Sequence, residues 1–169
     1  MTTLLLVRHG ETDWNAERRW QGHADVPLNT RGRAQAETLA QQLTDEGIDV
    51  IYTSDLSRAR DTADAVGARL GVEVVVDPDL REIDVGSREG LTGEIDGPWD
   101  GEPHEMHAER ILGAIHRIAE RHSGARVLVV THGGSLRRVH EHLGLESGPF
   151  ENCVVWACVH ENGRLRPID

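Results

Sequence analysis

LLLVRHGETDWN, residues 4–15, opens with four consecutive apolar residues and breaks at once into Arg8-His9-Gly10-Glu11. An apolar run with no polar alternation is the mark of a strand covered on both faces, as in the parallel sheets of α/β folds. Its end sets a guanidinium beside an imidazole. In open α/β sheets ligands collect beyond the carboxyl ends of the strands, so residues 4–7 read as a mount that delivers two side chains to a crevice.

The remainder of the chain repeats this rhythm. Ala36, Leu39, Ala40 and Leu43 recur at helical spacing over 30–43, with Gly47 as a stop signal. Residues 50–53 form a second strand. Ser54 is placed to cap a helix over 55–70, whose Ala59, Ala63, Val66 and Leu70 make an apolar stripe ended by Gly71. A third strand over 73–76 precedes a glycine-rich, apolar-poor stretch over 84–103 that reads as a loop. Residues 104–122 are helical, with Ile111, Leu112, Ile115, Ile118 and Ala119 facing inward. Residues 125–130 are a fourth strand, followed directly by Thr131-His132-Gly133-Gly134 and a helix to about 143. Asn162-Gly163 marks the turn of a closing hairpin over 152–160 and 164–168. Strand alternating with helix predicts an α/β fold with a mostly parallel central sheet and helices on both faces.

With 169 residues, the chain reads as one domain over 1–169. No apolar run approaches the length of a membrane span, and the first residues carry neither a basic n-region nor a cleavage site. The net charge of −11 repels nucleic acid and anionic membranes, so neither is an expected partner. Cys153 and Cys158 are expected in one strand on opposite faces, which argues against a disulfide or a metal clip and fits a cytoplasmic location. The oligomeric state is not legible.

Arg8-His9, the segment from Ser54 to Arg58, and Thr131-His132 all leave the same edge of the predicted sheet. Two arginines and two histidines suit a tetrahedral dianion: guanidinium groups fork onto phosphate oxygens and keep their proton. A neutral imidazole beside them has the basicity to attack phosphorus. Glu82, in Leu80-Arg81-Glu82-Ile83-Asp84, is the carboxyl best placed to protonate a leaving oxygen, with Asp84 and Glu89 nearby as alternatives. Arg60, two residues from Arg58, is expected on a surface face. His104, His107, His140 and His142 lack the convergence of a zinc site and read as surface residues. Trp14 and Trp20 are candidates for walls of the site, and Trp99 for a cover over the leaving group.

These blocks resemble the histidine phosphatase superfamily, which includes cofactor-dependent phosphoglycerate mutases and many small phosphatases. VRHGETDWN, WQGHADVPLNTRGRAQA, YTSDLSRARDTA, LREIDVGSREG and VVTHGGSLR occur in the family's order. The resemblance implies a three-layer α/β/α sandwich of the phosphoglycerate mutase-like kind. It implies His9 as the nucleophile that becomes phosphorylated, Arg8, Arg58 and His132 as the phosphate pocket, and Glu82 as general acid and later base. Asn15, Gln21, Gly22 and Gly133 match positions that line the phosphate site. It implies no metal and no cofactor.

Within the family two reactions remain open, mutase and phosphatase. A mutase must keep its phosphohistidine from water under a closed lid. The segment over 84–103 is short, and the stretch from Arg88 to His132 offers no obvious further arginines for a substrate carboxylate. A phosphomonoester hydrolase acting on a small phosphorylated metabolite is therefore the expectation. A phosphoglycerate mutase is the alternative, and a phosphoryl-binding scaffold without turnover is the alternative from another class.

Overall fold

The computed structural model describes residues 1–168. Six strands, β1 (Thr2–Arg8), β2 (Val50–Thr53), β3 (Val74–Val76), β4 (Arg126–Thr131), β5 (Val155–Glu161) and β6 (Arg164–Pro167), form one sheet in the order β3-β2-β4-β1-β5-β6. The β3, β2, β4 and β1 strands are mutually parallel, while β5 and β6 run antiparallel at one edge. The helices are α1 (Asp13–Ala16), α2 (Thr30–Gln42), α3 (Ser57–Leu70), α4 (His104–Arg121) and α5 (Gly133–His142).

Each central strand is buried on both faces, and its residues alternate between two cores. Leu4, Leu6, Val127 and Val129 pack with Ile111, Ile115, Ile118 and Leu136 of α4 and α5. Leu5, Val7, Leu128 and Val130 pack with Leu39, Ala40, Ala63 and Val66 of α2 and α3. Period-two alternation into two apolar layers gives the three-layer α/β/α sandwich.

The chain leaves β1 toward α2 on one face and leaves β4 toward α5 on the other. The crevice between these neighbouring strand ends is the topological switch point of the sheet. Register places Arg8 opposite Thr131 and Thr53 opposite Val130, so the ends of β1, β2 and β4 lie side by side.

Three details depart from the sequence reading. The α3 helix begins at Ser57, not residue 55; its N-cap residue Leu56 offers no side-chain cap, and the Ser57 N–H donates to Asp25 Oδ1 at 2.7 Å. Ser54 lies three residues before the helix, where its hydroxyl accepts from the Leu56 N–H at 3.4 Å and meets His132 Nε2 at 2.7 Å. Cys153 lies before β5 with φ of 59°, so the two cysteines do not share a strand; both are free thiols. The hairpin does turn at Asn162-Gly163, both with positive φ.

The loop after β1 is seated against α2 by close backbone contact and by Gln35, whose Oε1 accepts from the Glu11 N–H at 2.8 Å. A Cβ at Gly32 would stand 2.0 Å from the Glu11 carbonyl oxygen, a separation no packed structure accommodates. Gly32→Ala is therefore expected to cost about 1–3 kcal/mol in urea unfolding. Gly113, exposed within α4 with open space around it, should instead gain roughly 0.5–1 kcal/mol on substitution by alanine. Equal effects at the two sites would contradict this packing.

Candidate active site

A cavity of about 550 Å³ opens at the switch point, with Arg8, His9, Arg58 and Glu82 on its lining. His9 is the last side chain delivered by β1. Its backbone N–H donates to the Thr131 carbonyl at 3.1 Å, and its own carbonyl accepts from Asn152 Nδ2 at 2.8 Å. The neighbouring Gly10 N–H donates to Thr62 Oγ1 at 3.0 Å, and the Arg8 carbonyl accepts from the Cys153 N–H at 2.9 Å. Strands, α3 and the segment before β5 thus pin this short turn from several sides.

The tautomer of His9 follows from its partner. Nδ1 lies 2.7 Å from the Gly10 carbonyl oxygen, which can only accept, so Nδ1 carries the proton. Nε2 then holds the free lone pair. Burial, reinforced by the Arg58 and Arg8 charges, holds the pKa of His9 well below its ordinary value. The imidazole is neutral and faces a cavity lined by cations.

Arg58 is aimed by two backbone carbonyls: it donates to Ala24 O at 2.6 Å and to Gly22 O at 2.8 Å. Gly22 has φ of 52°, and a Cβ there would meet Val85 Cγ2 at 2.6 Å, so glycine is what lets that carbonyl reach the guanidinium. Arg8 donates to Phe150 O at 2.7 Å. Burial lowers the pKa of both arginines, Arg58 to about 10, yet both stay charged at neutral pH.

Three nitrogen atoms around His9 are buried with no hydrogen-bond partner: Arg8 Nε, Arg58 Nε and His132 Nδ1. His132 is fully buried, its ring centroid 5.1 Å from that of His9. It stands behind the cavity floor, and Ser54 holds its Nε2. Burial, followed by the Arg58 charge, keeps its pKa well below the ordinary value. Gly133 also lies off the lining, against Arg8: a Cβ there would be 3.4 Å from Arg8 Nε.

Glu82 is fixed by the backbone. Oε1 accepts from the Ile83 N–H and Oε2 from the Gly134 N–H, each at 2.9 Å. A Cβ at Gly134 would stand 2.2 Å from Oε1, so the second glycine of the Gly133-Gly134 pair is there to admit the carboxylate. Thr131 Oγ1 and Ser135 Oγ donate to the carbonyls of Leu80 and Arg81, at 2.8 and 3.1 Å, tying the segment before Glu82 to β4 and α5. Asp84 instead caps the turn at Gly86, 2.8 Å from its N–H, and is absent from the lining.

Asn15 and Gln21 both line the cavity. Their side-chain oxygens are engaged by Thr12, at 3.1 Å from its N–H and 2.8 Å from its hydroxyl. That leaves both amide NH₂ groups as neutral donors.

The wall opposite is built by residues 84–103. Arg88 organises it, donating to Gly97 O at 3.1 Å and Pro98 O at 3.2 Å and lying 5.1 Å over the Trp99 ring. Trp99 stacks on His104 with centroids 4.9 Å apart. Paired backbone hydrogen bonds between Trp20 and Gly90-Leu91, at 2.8 and 2.9 Å, strap this wall to the turn after α1. Trp14, Trp20 and Trp99 all line the cavity.

Several expectations need correction. His107 is buried and lines the cavity, and His140 is wedged against Phe150 and Trp156, so neither is a surface residue. His104, His142 and Arg60 are exposed, as expected. Between Arg88 and His132 no further arginine reaches the cavity, as expected, but Arg18, Arg19, Arg137 and Arg138 join Arg88 on its lining, where Glu82 is the only acidic residue among the described residues. They come from the turn after α1 and from α5 as well as from the short loop, far from one another in the sequence. Ser54 and Asn152 were also missed as supports. Asn152 lies more than a hundred residues from His9 and carries no local signal. Among the described residues, no group of three or more His, Cys, Asp or Glu is placed to hold a metal ion, and no helix is long and apolar enough to cross a membrane.

The family model for the histidine phosphatase superfamily (branch 1) matches residues 4–158. This chain belongs to that superfamily. It is 41% identical over 159 residues to phosphoglycerate mutase-like protein 4 of Arabidopsis thaliana, covering 82% of this chain and 69% of the relative. It is 39% identical over 161 residues to the metal-independent phosphoserine phosphatase of the same plant, covering 83% and 68%. Among solved structures, Bacillus stearothermophilus YhfR superposes with a TM-score of 0.90 at 33% identity, covering 99% of this chain and 95% of that one.

The buried histidines of this superfamily member make its stability depend on pH. His9 and His132 sit well below their ordinary pKa, and burial brings His107 down to about 4. As pH falls below about 6.5 the unfolded chain takes up protons that the folded chain refuses. Stability is expected to be full above that pH and to be lost progressively toward pH 4, with unfolding taking up as many as three protons from these groups. Urea unfolding at a series of pH values checks this; a flat profile between pH 7 and pH 5 would contradict it.

Proposed function

We propose that this chain is a phosphomonoester hydrolase that acts through a covalent phosphohistidine at His9 on a small phosphorylated metabolite. The observation that carries the reading is the pair of unpartnered buried guanidinium donors, Arg8 Nε and Arg58 Nε, beside a neutral imidazole. An unpaired buried donor costs about 1–3 kcal/mol, and a tetrahedral dianion would bring oxygen acceptors to the two guanidinium groups on the cavity lining.

In the first step, His9 Nε2 attacks phosphorus as the bond to the ester oxygen breaks, and Glu82 donates a proton to the departing alcohol. Catalysis of phosphoryl transfer is mainly positioning and charge stabilisation; the arginines and His132 serve both, with no role left for a metal. Asn15, Gln21 and the backbone near Gly22, all on the lining, complete the cradle; Gly133 stands off it and backs Arg8. In the second step, Glu82 accepts a proton from water as its oxygen attacks phosphorus. The N–P bond breaks, inorganic phosphate leaves, and His9 returns to its neutral form. The metal-independent relative at 39% identity supports this reading.

The mutase reading is favoured by one observation, the five further arginines on the lining, which could hold a substrate carboxylate. Incubation with 3-phosphoglycerate and a bisphosphoglycerate primer separates the two. Phosphate release is expected to outrun isomerisation, and the reverse would replace hydrolase by mutase.

Hydrolysis of 4-nitrophenyl phosphate is expected to persist in excess chelator, to be inhibited by vanadate, and to vanish in His9→Ala. Glu82→Gln should cost about 10²–10⁴-fold with an alkyl phosphate and less with the better nitrophenolate leaving group. Gly134→Ala should reproduce that leaving-group dependence by displacing the carboxylate while the protein stays folded. Undiminished hydrolysis by His9→Ala would refute the mechanism.

A further inference from the structure

The buried face of α4 carries Ile111, Ala114, Ile115 and Ile118. One turn toward the amino end of that helix, where the stripe calls for another apolar side chain, stands His107, 1% exposed. A histidine that breaks an apolar stripe yet stays buried needs an explanation beyond packing. It lies on the same cavity wall as Glu82 and Gly134, and the phosphoryl-transfer steps above do not use it.

Its hydrogen bonds fix which nitrogen carries the proton. Ser135 Oγ donates its single proton to the Arg81 carbonyl at 3.1 Å, so it can only accept from His107 Nε2, also at 3.1 Å. Nε2 therefore bears hydrogen. Burial, which brings the ring's pKa to about 4, keeps it neutral at physiological pH, leaving Nδ1 as a bare acceptor. Nδ1 has no protein partner among the described residues, and it is absent from the nitrogens sealed away from solvent. In a ring that lines the cavity, that lone pair is open to whatever fills the space beside the general acid.

We propose that His107 is a specificity-determining residue whose Nδ1 accepts a hydrogen bond from an O–H or N–H group on the leaving alcohol, so that the preferred substrates are phosphate esters of small hydroxylated or amino-bearing alcohols. The inference rests on the hydrolase reading above. It assigns the leaving-group side of the cavity, as the arginines and His9 assign the phosphoryl side. The arrangement discriminates because a bare buried acceptor gains a partner only with the hydroxylated ester; an alkyl ester leaves it unpaired.

Glycerol 1-phosphate and n-propyl phosphate have the same chain length and differ in the hydroxyl groups of the alcohol. The quantity to measure is the ratio of their kcat/KM values in wild type, His107→Val and His107→Asn. His107→Val is expected to lower the ratio by about tenfold. His107→Asn, whose amide oxygen can replace the Nδ1 acceptor, is expected to restore most of it. An unchanged ratio in His107→Val, with both esters slowed together or neither slowed, overturns the inference and leaves the hydrolase reading standing. Failure of wild type to hydrolyse any phosphomonoester, 4-nitrophenyl phosphate included, overturns both.

A second readout does not depend on the valine variant folding. In ¹⁵N-histidine-labelled His9→Ala protein, which should bind without turnover, His107 is expected to show an unprotonated Nδ1 at neutral pH. Its signal should shift with glycerol 1-phosphate and not with n-propyl phosphate. A protonated Nδ1, or equal responses to the two esters, contradicts the assignment.

Discussion

Like charges crowded together in a dry place repel one another, and this fold is arranged to hold them there. Arg8 and Arg58 stand beside two neutral histidines at the floor of the cavity, and each arginine lowers the pKa of both His9 and His132. Such a cluster persists only where the backbone over-determines it. Carbonyl oxygens of Phe150, Gly22 and Ala24 hold the guanidinium groups, and parallel strand ends in register hold the residues beside them. The donors left over define what the site lacks, a compact anion with several oxygen atoms.

The surrounding charge sharpens this. The chain carries a net charge of −11 and has eighteen basic residues. Among the described residues, seven arginines nevertheless line one cavity that contains a single carboxylate. A concave site of one sign in a low-dielectric wall focuses its field, so an anion is drawn to the mouth although the molecule as a whole repels it. Arg19, Arg88 and Arg138 are each paired with an acidic neighbour. Arg18 and Arg137 have no such partner among the described residues, and their charge at the mouth is free to act on incoming substrate.

What the sequence makes legible divides along physical lines. The alternation of strand and helix, the strand-end position of Arg8-His9 and the Thr131-His132-Gly133-Gly134 turn are local patterns, and each appears in the structure where periodicity places it. Glu82 is legible because few carboxyls follow a strand beside the glycine-rich loop. The supports are not local. Asn152 reaches His9 across most of the chain, and Ser54 offers the same hydroxyl to a helix cap or to His132 until tertiary contact decides. Arg137 and Arg138 carry no local mark of a site, because only the folded wall over 84–103 brings a cavity to their side. His107 shows the opposite lesson: a polar residue in an apolar stripe is a signal, and treating it as a surface histidine overlooked the phase of the helix.

The central claim is that the neutral Nε2 of His9 takes the phosphoryl group before water does. Rapid acid-free quenching of the wild-type protein during turnover of a ³²P-labelled ester tests this most directly. The account predicts a labelled phosphoramidate on His9, labile to acid and stable to alkali, that forms and decays fast enough to carry the steady-state rate. Full-speed phosphate release with no label ever bound to His9 would contradict it.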